Sequence, residues 1–458
     1  MITIKKGHAV YSRLLMSKGN EQARYVPSRF FLREDTADGT LACNTLTGEL
    51  ALLTAEEAAF MKQGPLAYRP EMEKLIQSRF LVPEDSAERR TVDELRALQL
   101  RRRAARRIIT QYNILPTTCC NARCFYCYES DLRQIHMTEE TAEQLAVHIA
   151  DHCGGERVKL LWFGGEPTLG RARIDQICRR LDELGVGYAS EMTSNAYLFD
   201  RDMIRHAKAC WNLQSIQITL DGTEQVYIRT KDYQGITDNP YRRVLRNVEG
   251  FLEEQIRVQI RLNMDLHNAE DLSRLADELA ERFGPNPYLV VYVRRINAGV
   301  GFSPIDHGEA EEGELQRRLN CLQDRLERCG WRQIPDRGLP HLKVTVCMAD
   351  DPQALQCTPD GILSKCEDQP YGHPVGTLTD GITDEAQVRW WQERTGRGGC
   401  GECALYPCCI RLLKHCPGKQ GKCPPDDRDR WIAQYRANML ECYAAWKRSR
   451  EREEAGQT

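Results

Sequence analysis

Between residues 108 and 293 the chain alternates short apolar runs with longer amphipathic ones. The apolar runs occupy 108–115, 158–163, 187–192, 215–220, 258–264 and 288–293 and read as strands. Between them, near 138–152, 171–185, 200–209, 242–254 and 269–282, apolar positions recur at the spacing that gives a helix one buried face. Six β/α units in order predict an α/β fold with a parallel sheet and helices outside it, closed as a partial (β/α)6 barrel. In such folds chemistry sits on the loops that follow the strands. Residues 1–85 have a different texture. Short mixed stretches at 28–32 and 39–43 flank a turn-rich segment, Thr54–Glu57 forms a capping box that starts a helix, and a second helical stretch leads to Pro83. This predicts a small α+β module. Thr91 and Glu94 are expected to open a charged helix ending in the basic run 101–107, which makes 86–107 a helical linker with a solvated face. The barrel then spans 108–300, a polar helical bridge 301–345, a turn-rich cysteine region 346–445 and a charged tail 446–458.

Composition narrows the possibilities. The 458 residues allow two to four domains, and 41% hydrophobic content is enough to fill their cores. Net charge is −3 and the pI about 6.4, so nothing draws the chain globally toward nucleic acid. No apolar run approaches the length of a membrane helix, and the first residues lack the apolar core of an export signal, so a cytoplasmic protein is expected. The anomaly is cysteine: 20 of them beside 10 histidines, ten between Cys347 and Cys442 and four within Cys119–Cys127. In a reducing compartment such bunching points to metal ligation rather than disulfides.

The first predicted strand runs into a loop where Cys120, Cys124 and Cys127 form C-x3-C-x2-C. Three thiolates on one short loop hold three irons of a [4Fe–4S] cube and leave the fourth open to another ligand. A structural zinc site is the alternative, but it needs a fourth ligand, and the nearest histidine, His136, lies nine residues downstream. Cys119 is out of register and reads as a bystander. With Tyr126 before the last cysteine, this loop resembles that of the radical S-adenosylmethionine (SAM) superfamily. The second strand ends in Trp162-Phe-Gly-Gly-Glu-Pro, similar to that family's Gly-Gly-Glu-Pro motif. The resemblance implies that Gly164 and Gly165 let the backbone approach SAM and that Glu166 accepts from its ammonium. It further implies contacts from Ser194 and Asn195 after strand three, Thr219 and Asp221 after strand four, and Arg261 and Asn263 on strand five. The implied reaction is reductive cleavage of SAM to a 5′-deoxyadenosyl radical, which needs a low-potential electron donor such as ferredoxin or flavodoxin.

Downstream, Gly361 precedes Cys366 in G-x4-C, and Cys400, Cys403 and Cys409 form C-x2-C-x5-C. These resemble the SPASM extension of radical SAM enzymes, which carries auxiliary [4Fe–4S] clusters. The spacing departs where Cys416 follows Cys409 six residues on rather than three, and Cys408 offers a competing register. The resemblance implies two auxiliary clusters drawn from Cys347, Cys357, Cys366, Cys400, Cys403, Cys409, Cys416 and Cys423, with Cys408 and Cys442 as alternates, and three cubes in all. Zinc at Cys400 and Cys403 is the other reading. Cysteines 43, 153, 178, 210, 321 and 329 are expected to be mostly buried, inert thiols. SPASM proteins act mainly on peptides, so the expected substrate is a ribosomally made precursor peptide; residues 1–85 resemble a leader-recognition module, with a purely structural cap as the other reading. The expected product is a Cys thioether or another crosslink. Anaerobic sulfatase maturation is the second enzymatic reading, because Glu367 and Asp368 follow Cys366 where those enzymes place an acidic base. An iron–sulfur or zinc scaffold or electron carrier is the non-enzymatic one. No nucleic-acid or membrane partner is expected.

Overall fold

The computed structural model describes residues 1–296, 309–331, 338–394, 400–416, 423 and 425–454. Its centre is a ten-stranded sheet built on the predicted β/α alternation. Seven strands lie outside it, in the N-terminal module: β1 (Ile2–Lys5), β2 (Arg24–Pro27), β3 (Phe31–Thr36), β4 (Gly39–Asn44), β5 (Leu50–Leu53), β6 (Leu66–Ala67) and β7 (Leu81–Pro83). They form two small sheets, β1-β5-β4-β3 and β6-β2-β7, with helices α1 (Ala9–Leu15), α2 (Ala55–Phe60) and α3 (Glu73–Gln77) between them. The capping box predicted at Thr54 and Glu57 starts α2.

Next comes α4 (Glu88–Ala105), three residues ahead of its predicted start. Thr91 does not cap it; its hydroxyl donates back to the Ala87 carbonyl inside the helix. Buried Glu88 takes over, accepting from Ser28 Oγ and the Arg29 amide, so a tertiary contact rather than a local cap sets the boundary. The basic run 101–107 is mostly solvated, as expected, with Arg103 paired to Asp351 and Arg106 to Glu156.

The barrel strands are β8 (Gln111–Ile114), β9 (Val158–Trp162), β10 (Tyr188–Thr193), β11 (Leu213–Thr219), β12 (Arg257–Met264) and β13 (Leu289–Arg295), all parallel and adjacent in chain order. The intervening helices are α5 (Glu139–His152), α6 (Arg171–Glu183), α7 (Arg201–Cys210), α8 (Glu224–Lys231), α9 (Pro240–Glu253) and α10 (Ala269–Phe283). Of these, α8 is not evident in the hydrophobic pattern. Alternate strand residues such as Leu160, Trp162, Ile216, Ile218, Val258 and Ile260 are buried against the inward faces of these helices and make one continuous core. Within the predicted bridge, α11 (Glu309–Arg328) packs on α10 and β13, while 301–308 and 332–337 lie outside the described residues.

The cysteine-rich region is grafted onto the barrel rather than hung from it. Strand β14 (Ala354–Cys357) pairs in parallel with β8, and β15 (Ile362–Ser364), β16 (Gly376–Thr377) and β17 (Gly381–Ile382) extend the same sheet antiparallel. After α12 (Glu385–Trp391), the long α13 (Pro425–Glu454) lies against the N-terminal four-stranded sheet, where Tyr435, Met439 and Tyr443 share an apolar cluster with Leu32, Leu41 and Leu50. The expected charged tail is therefore largely the end of this helix, with 455–458 outside the described residues. Among the described residues no helix is long and apolar enough to cross a membrane.

Candidate functional site

Buried Ile114 and Leu115 end β8 and fix where the cysteine loop begins. Two threonines then tie it down. Thr117 Oγ1 donates to the Ile135 carbonyl at 3.0 Å and Thr118 Oγ1 to the Arg133 carbonyl at 2.6 Å. The Arg123 amide donates to the Lys231 carbonyl at 2.9 Å, and a tight turn joins the Cys127 amide to the Cys124 carbonyl at 3.0 Å. Cys120, Cys124 and Cys127 are brought within electrostatic reach of one another. Burial, the nearby Glu166 carboxylate and the other two thiols push Cys120 up to about 12. Burial, with Glu129 and Cys124, pushes Cys127 up to about 11. Thiols so reluctant to ionise alone become stable thiolates only with a cation between them, which is the logic of a cluster site.

The loop after β9 seats against this one. The Gly165 amide donates to the Thr117 carbonyl and the Glu166 amide to the Cys119 carbonyl at 2.8 Å. A Cβ on Gly165 would sit 2.3 Å from the Cys119 carbonyl oxygen, and one on Gly164, at φ +104°, 2.4 Å from that of Thr117. The two glycines are thus required by the approach of one loop to the other. Glu166 is fully buried and accepts from the Thr168 amide, Thr168 Oγ1, Ser194 Oγ and the Asn195 amide. Four donors from the chain itself match the acceptor capacity of a carboxylate, so Glu166 clamps the ends of β9 and β10 together. Burial nevertheless raises its pKa. Asn195 also donates from Nδ2 to Asn121 Oδ1, joining this clamp to the cysteine loop.

A second buried network lies on the other side of the cysteine loop. Tyr126 donates to Asp221 Oδ2 at 2.7 Å, and Asn263 Nδ2 donates to Tyr126 at 3.1 Å and to Asp221 Oδ1 at 3.0 Å. At its centre is Lys231, on the last turn of α8. Its Nζ is 2.7 Å from the Tyr126 hydroxyl, 2.6 Å from Thr219 Oγ1 and 2.8 Å from Asp221. Burial alone would lower the lysine pKa, but Asp221 and the neighbouring Cys124 and tyrosines outweigh it and hold Lys231 well above its ordinary value. Sequence reading missed Lys231 because it sits on the one barrel helix whose pattern is not amphipathic; its only signal is its place ten residues after Asp221.

Tyr126, Cys127, Thr219, Arg261 and Asn263 line a cavity of about 440 Å³. A neighbouring cavity of about 370 Å³ is lined by Cys347, Cys366, Cys416, Lys365 and Trp391. Leu161, Glu367 and Asp368 belong to both. Burial, Asp368, Cys347 and Cys416 push Cys366 up to about 12, so these three cysteines form one group. A separate group joins Cys409 to Cys403, Cys423 and Cys400, whose charges with burial raise its pKa. The eight expected auxiliary ligands are therefore gathered as three and four, with one apart. Cys357 is fully buried at the end of β14 in the barrel core, where its thiol donates to the Thr358 carbonyl. Of the alternates, Cys408 is fully buried and donates to the Leu405 carbonyl, and it packs with Cys442 and Cys43 in the apolar cluster under α13. Among the presumed inert thiols, Cys153 and Cys178 are buried but Cys210 and Cys321 are exposed, because they fall on the outer faces of their helices. Among the described residues no three His, Cys, Asp or Glu side chains are close enough to share a single ion. Cluster ligands bind different irons and stand further apart than the ligands of one zinc.

With this geometry in view, the radical SAM superfamily profile matches residues 114–279, from the end of β8 into α10. The chain carries a radical SAM domain. The Fe-coproporphyrin III synthase of Methanosarcina barkeri (strain Fusaro / DSM 804) is 25% identical over 228 residues, 50% of this chain and 53% of that protein. The match thus spans about half the length of that relative. Among solved structures, anSMEcpe with bound AdoMet and Kp18Cys peptide superimposes with a TM-score of 0.55 at 11% identity, covering 74% of this chain and 99% of that one. Streptococcus suis SuiB bound to precursor peptide SuiA gives 0.50 at 15% identity, covering 85% and 95%. At these identities the likeness is one of fold, and it extends beyond the radical SAM domain into the flanking regions.

Proposed function

We propose that this radical SAM protein is an enzyme that modifies a ribosomally made peptide, most simply by joining a cysteine sulfur to a carbon of another residue. The observation that carries the reading is the adjoining pair of cavities. One is walled by Tyr126 and Cys127, the other by Cys347, Cys366 and Cys416, and they share Leu161, Glu367 and Asp368. Cys120, Cys124 and Cys127 would hold a [4Fe–4S] cluster with SAM on its open iron, which, given an electron, would supply a 5′-deoxyadenosyl radical for removing a hydrogen atom from the substrate. The chain's residues fit that group. Arg261 has a buried Nε without a partner on the cavity wall, while the Lys231 ammonium is spent on Tyr126, Thr219 and Asp221 and holds Tyr126 and Thr219 of that wall in place. Glu166 shapes the loop, and any contact with the SAM ammonium has to share its one lightly used oxygen, Oε2. Cys347, Cys366 and Cys416 would hold an auxiliary cube, which would bind a substrate thiolate and accept the one electron released as its sulfur bonds to the substrate carbon radical. Cys400, Cys403, Cys409 and Cys423 would supply the four thiolates of a closed cube, which would serve electron transfer.

The N-terminal module fits leader capture through its sheet ends: β1, β3, β6 and β7 are the outer strands of two small sheets. A second reading, oxidation of a sulfatase residue, is favoured by Glu367, which is held by Asn113 Nδ2 at 3.2 Å and lies on the wall of both cavities, as an acidic base requires. Anaerobically reconstituted protein given dithionite and SAM is expected to form 5′-deoxyadenosine. Bound zinc with no SAM turnover would refute the enzyme and leave a scaffold.

A further inference from the structure

Two guanidinium groups meet between the two auxiliary cysteine groups. Arg96 reaches there from α4, and Arg394 lies just after α12. Arg96 Nε donates to the Lys343 carbonyl at 3.2 Å, and Arg394 Nη2 donates to that of the next residue, Val344, at 2.8 Å. Burial first, and the Arg394 charge second, lower the Arg96 pKa, as a neighbouring cation does. The backbone at Arg394 is fixed by the stretch between Cys409 and Cys416. Arg394 bridges to Leu413, and the Lys414 amide donates to the Glu393 carbonyl at 3.0 Å. Fully buried Asp350 accepts from Arg394 Nη2 and from the Cys347 amide, which ties the same arginine to the turn carrying Cys347. Val344, Cys400 and Cys409 pack against one apolar cluster.

Both arginines spend only part of their donors. Arg394 uses Nη2 alone; its Nε and Nη1 are buried without an acceptor among the described residues. Arg96 uses Nε and Nη2 on backbone carbonyls, and its Nη1 is likewise buried without a hydrogen-bond acceptor. Asp93 stands 3.5 Å from that Nη1 but is turned to the Tyr406 hydroxyl, which donates to it at 2.6 Å. Each cation therefore has a carboxylate, and what is lacking is acceptors. Buried N–H groups left unpaired are costly, and here they gather beside Cys409, whose charge Arg96 feels. Iron-bound thiolates and sulfides accept such bonds well, whereas a neutral thiol accepts them weakly. We propose that Arg96 and Arg394 donate to sulfur of the auxiliary cube on Cys400, Cys403, Cys409 and Cys423 and hold its reduction potential up. Cationic donors to cluster sulfur favour the reduced, more negative state over the oxidised one. The inference rests on the reading of those four cysteines as an auxiliary cube, and it names the residues that tune it.

The test is an EPR-monitored redox titration of the anaerobically reconstituted full-length protein, following the signal that Cys409→Ala removes. In Arg394→Gln the reduced-to-oxidised ratio at a fixed potential is expected to fall about tenfold, a downward shift of about 59 mV for one electron. A variant that keeps its iron and titrates at the wild-type potential overturns the proposal. A second measurement needs no variant to fold. With nitrogen-15 in the arginine guanidinium, the reduced wild type should show nitrogen-15 hyperfine coupling on the same signal, and its absence overturns the proposal. Arg89 and Arg428 also lie within electrostatic reach of these cysteines, so coupling that persists undiminished in Arg394→Lys counts against it too. If Cys409→Ala loses neither iron nor signal, the four-cysteine cube is refuted, and the tuning with it.

Discussion

At the residue scale the site depends on close approach and on one buried charge pair. Gly165 leaves no room for a methyl group, since the Cys119 carbonyl oxygen is 2.3 Å from where its Cβ would be. Gly165→Ala should push the two loops apart and cost about four irons, with the others retained, measured by iron analysis and loss of SAM cleavage. Lys231 and Asp221 are each almost fully buried at 2.8 Å. Lys231→Met should cost about 3–5 kcal/mol in denaturant unfolding, because Asp221 is left charged without a counterion. Much of this scale was legible in advance. The cysteine spacing and the Gly-Gly-Glu-Pro run announced themselves as motifs. Lys231, Glu129 and Asn113 did not, because each gains its meaning only when β8, α8 and the cysteine loop meet, and a single polar residue on a strand or helix end carries no local signal of that meeting.

At the element scale, the regular part of the fold was readable and its seams were not. The six parallel strands and five of the barrel helices fall within a few residues of the hydrophobic pattern, since period alone decides them. Strand β14 could not be read as a partner of β8, because pairing across 240 residues leaves no mark on either segment; the same blindness put Cys357 among the expected ligands when its strand carries it into the core. The start of α4 moved because Glu88 is held by Ser28 and Arg29. That helix is more than a linker. Arg96 is buried and donates to the carbonyls of Tyr406 and Pro407, both at 2.7 Å, and to that of Lys343 at 3.2 Å, beside Cys409. Arg96→Ala should lower stability by about 2 kcal/mol or more, seen as a drop in Tm, since several buried carbonyls lose their donor together. A Tm equal to the wild type would mean that α4 is not a structural strut for the four-cysteine group.

At the scale of the whole molecule, the N-terminal and C-terminal regions form one body around the barrel. Thr45 Oγ1 donates to the Ala404 carbonyl, Tyr443 to Asp38, and α13 covers the four-stranded sheet. Twenty cysteines, which as a composition said only that metal was involved, resolve into groups of three, three and four, with the remainder in cores, on or beside helices or, for Cys119, next to the first group in its loop. Cys409→Ala should therefore lose about four irons, whereas Cys357→Ala should keep the full complement while unfolding more easily. The most direct measurement of the central claim compares iron content and SAM cleavage in the wild type and in the triple variant Cys120→Ala, Cys124→Ala, Cys127→Ala. The account predicts about twelve irons and 5′-deoxyadenosine for the wild type, and about eight irons with no 5′-deoxyadenosine for the variant. A variant that still cleaves SAM, or a wild type that holds zinc in place of iron, would contradict it.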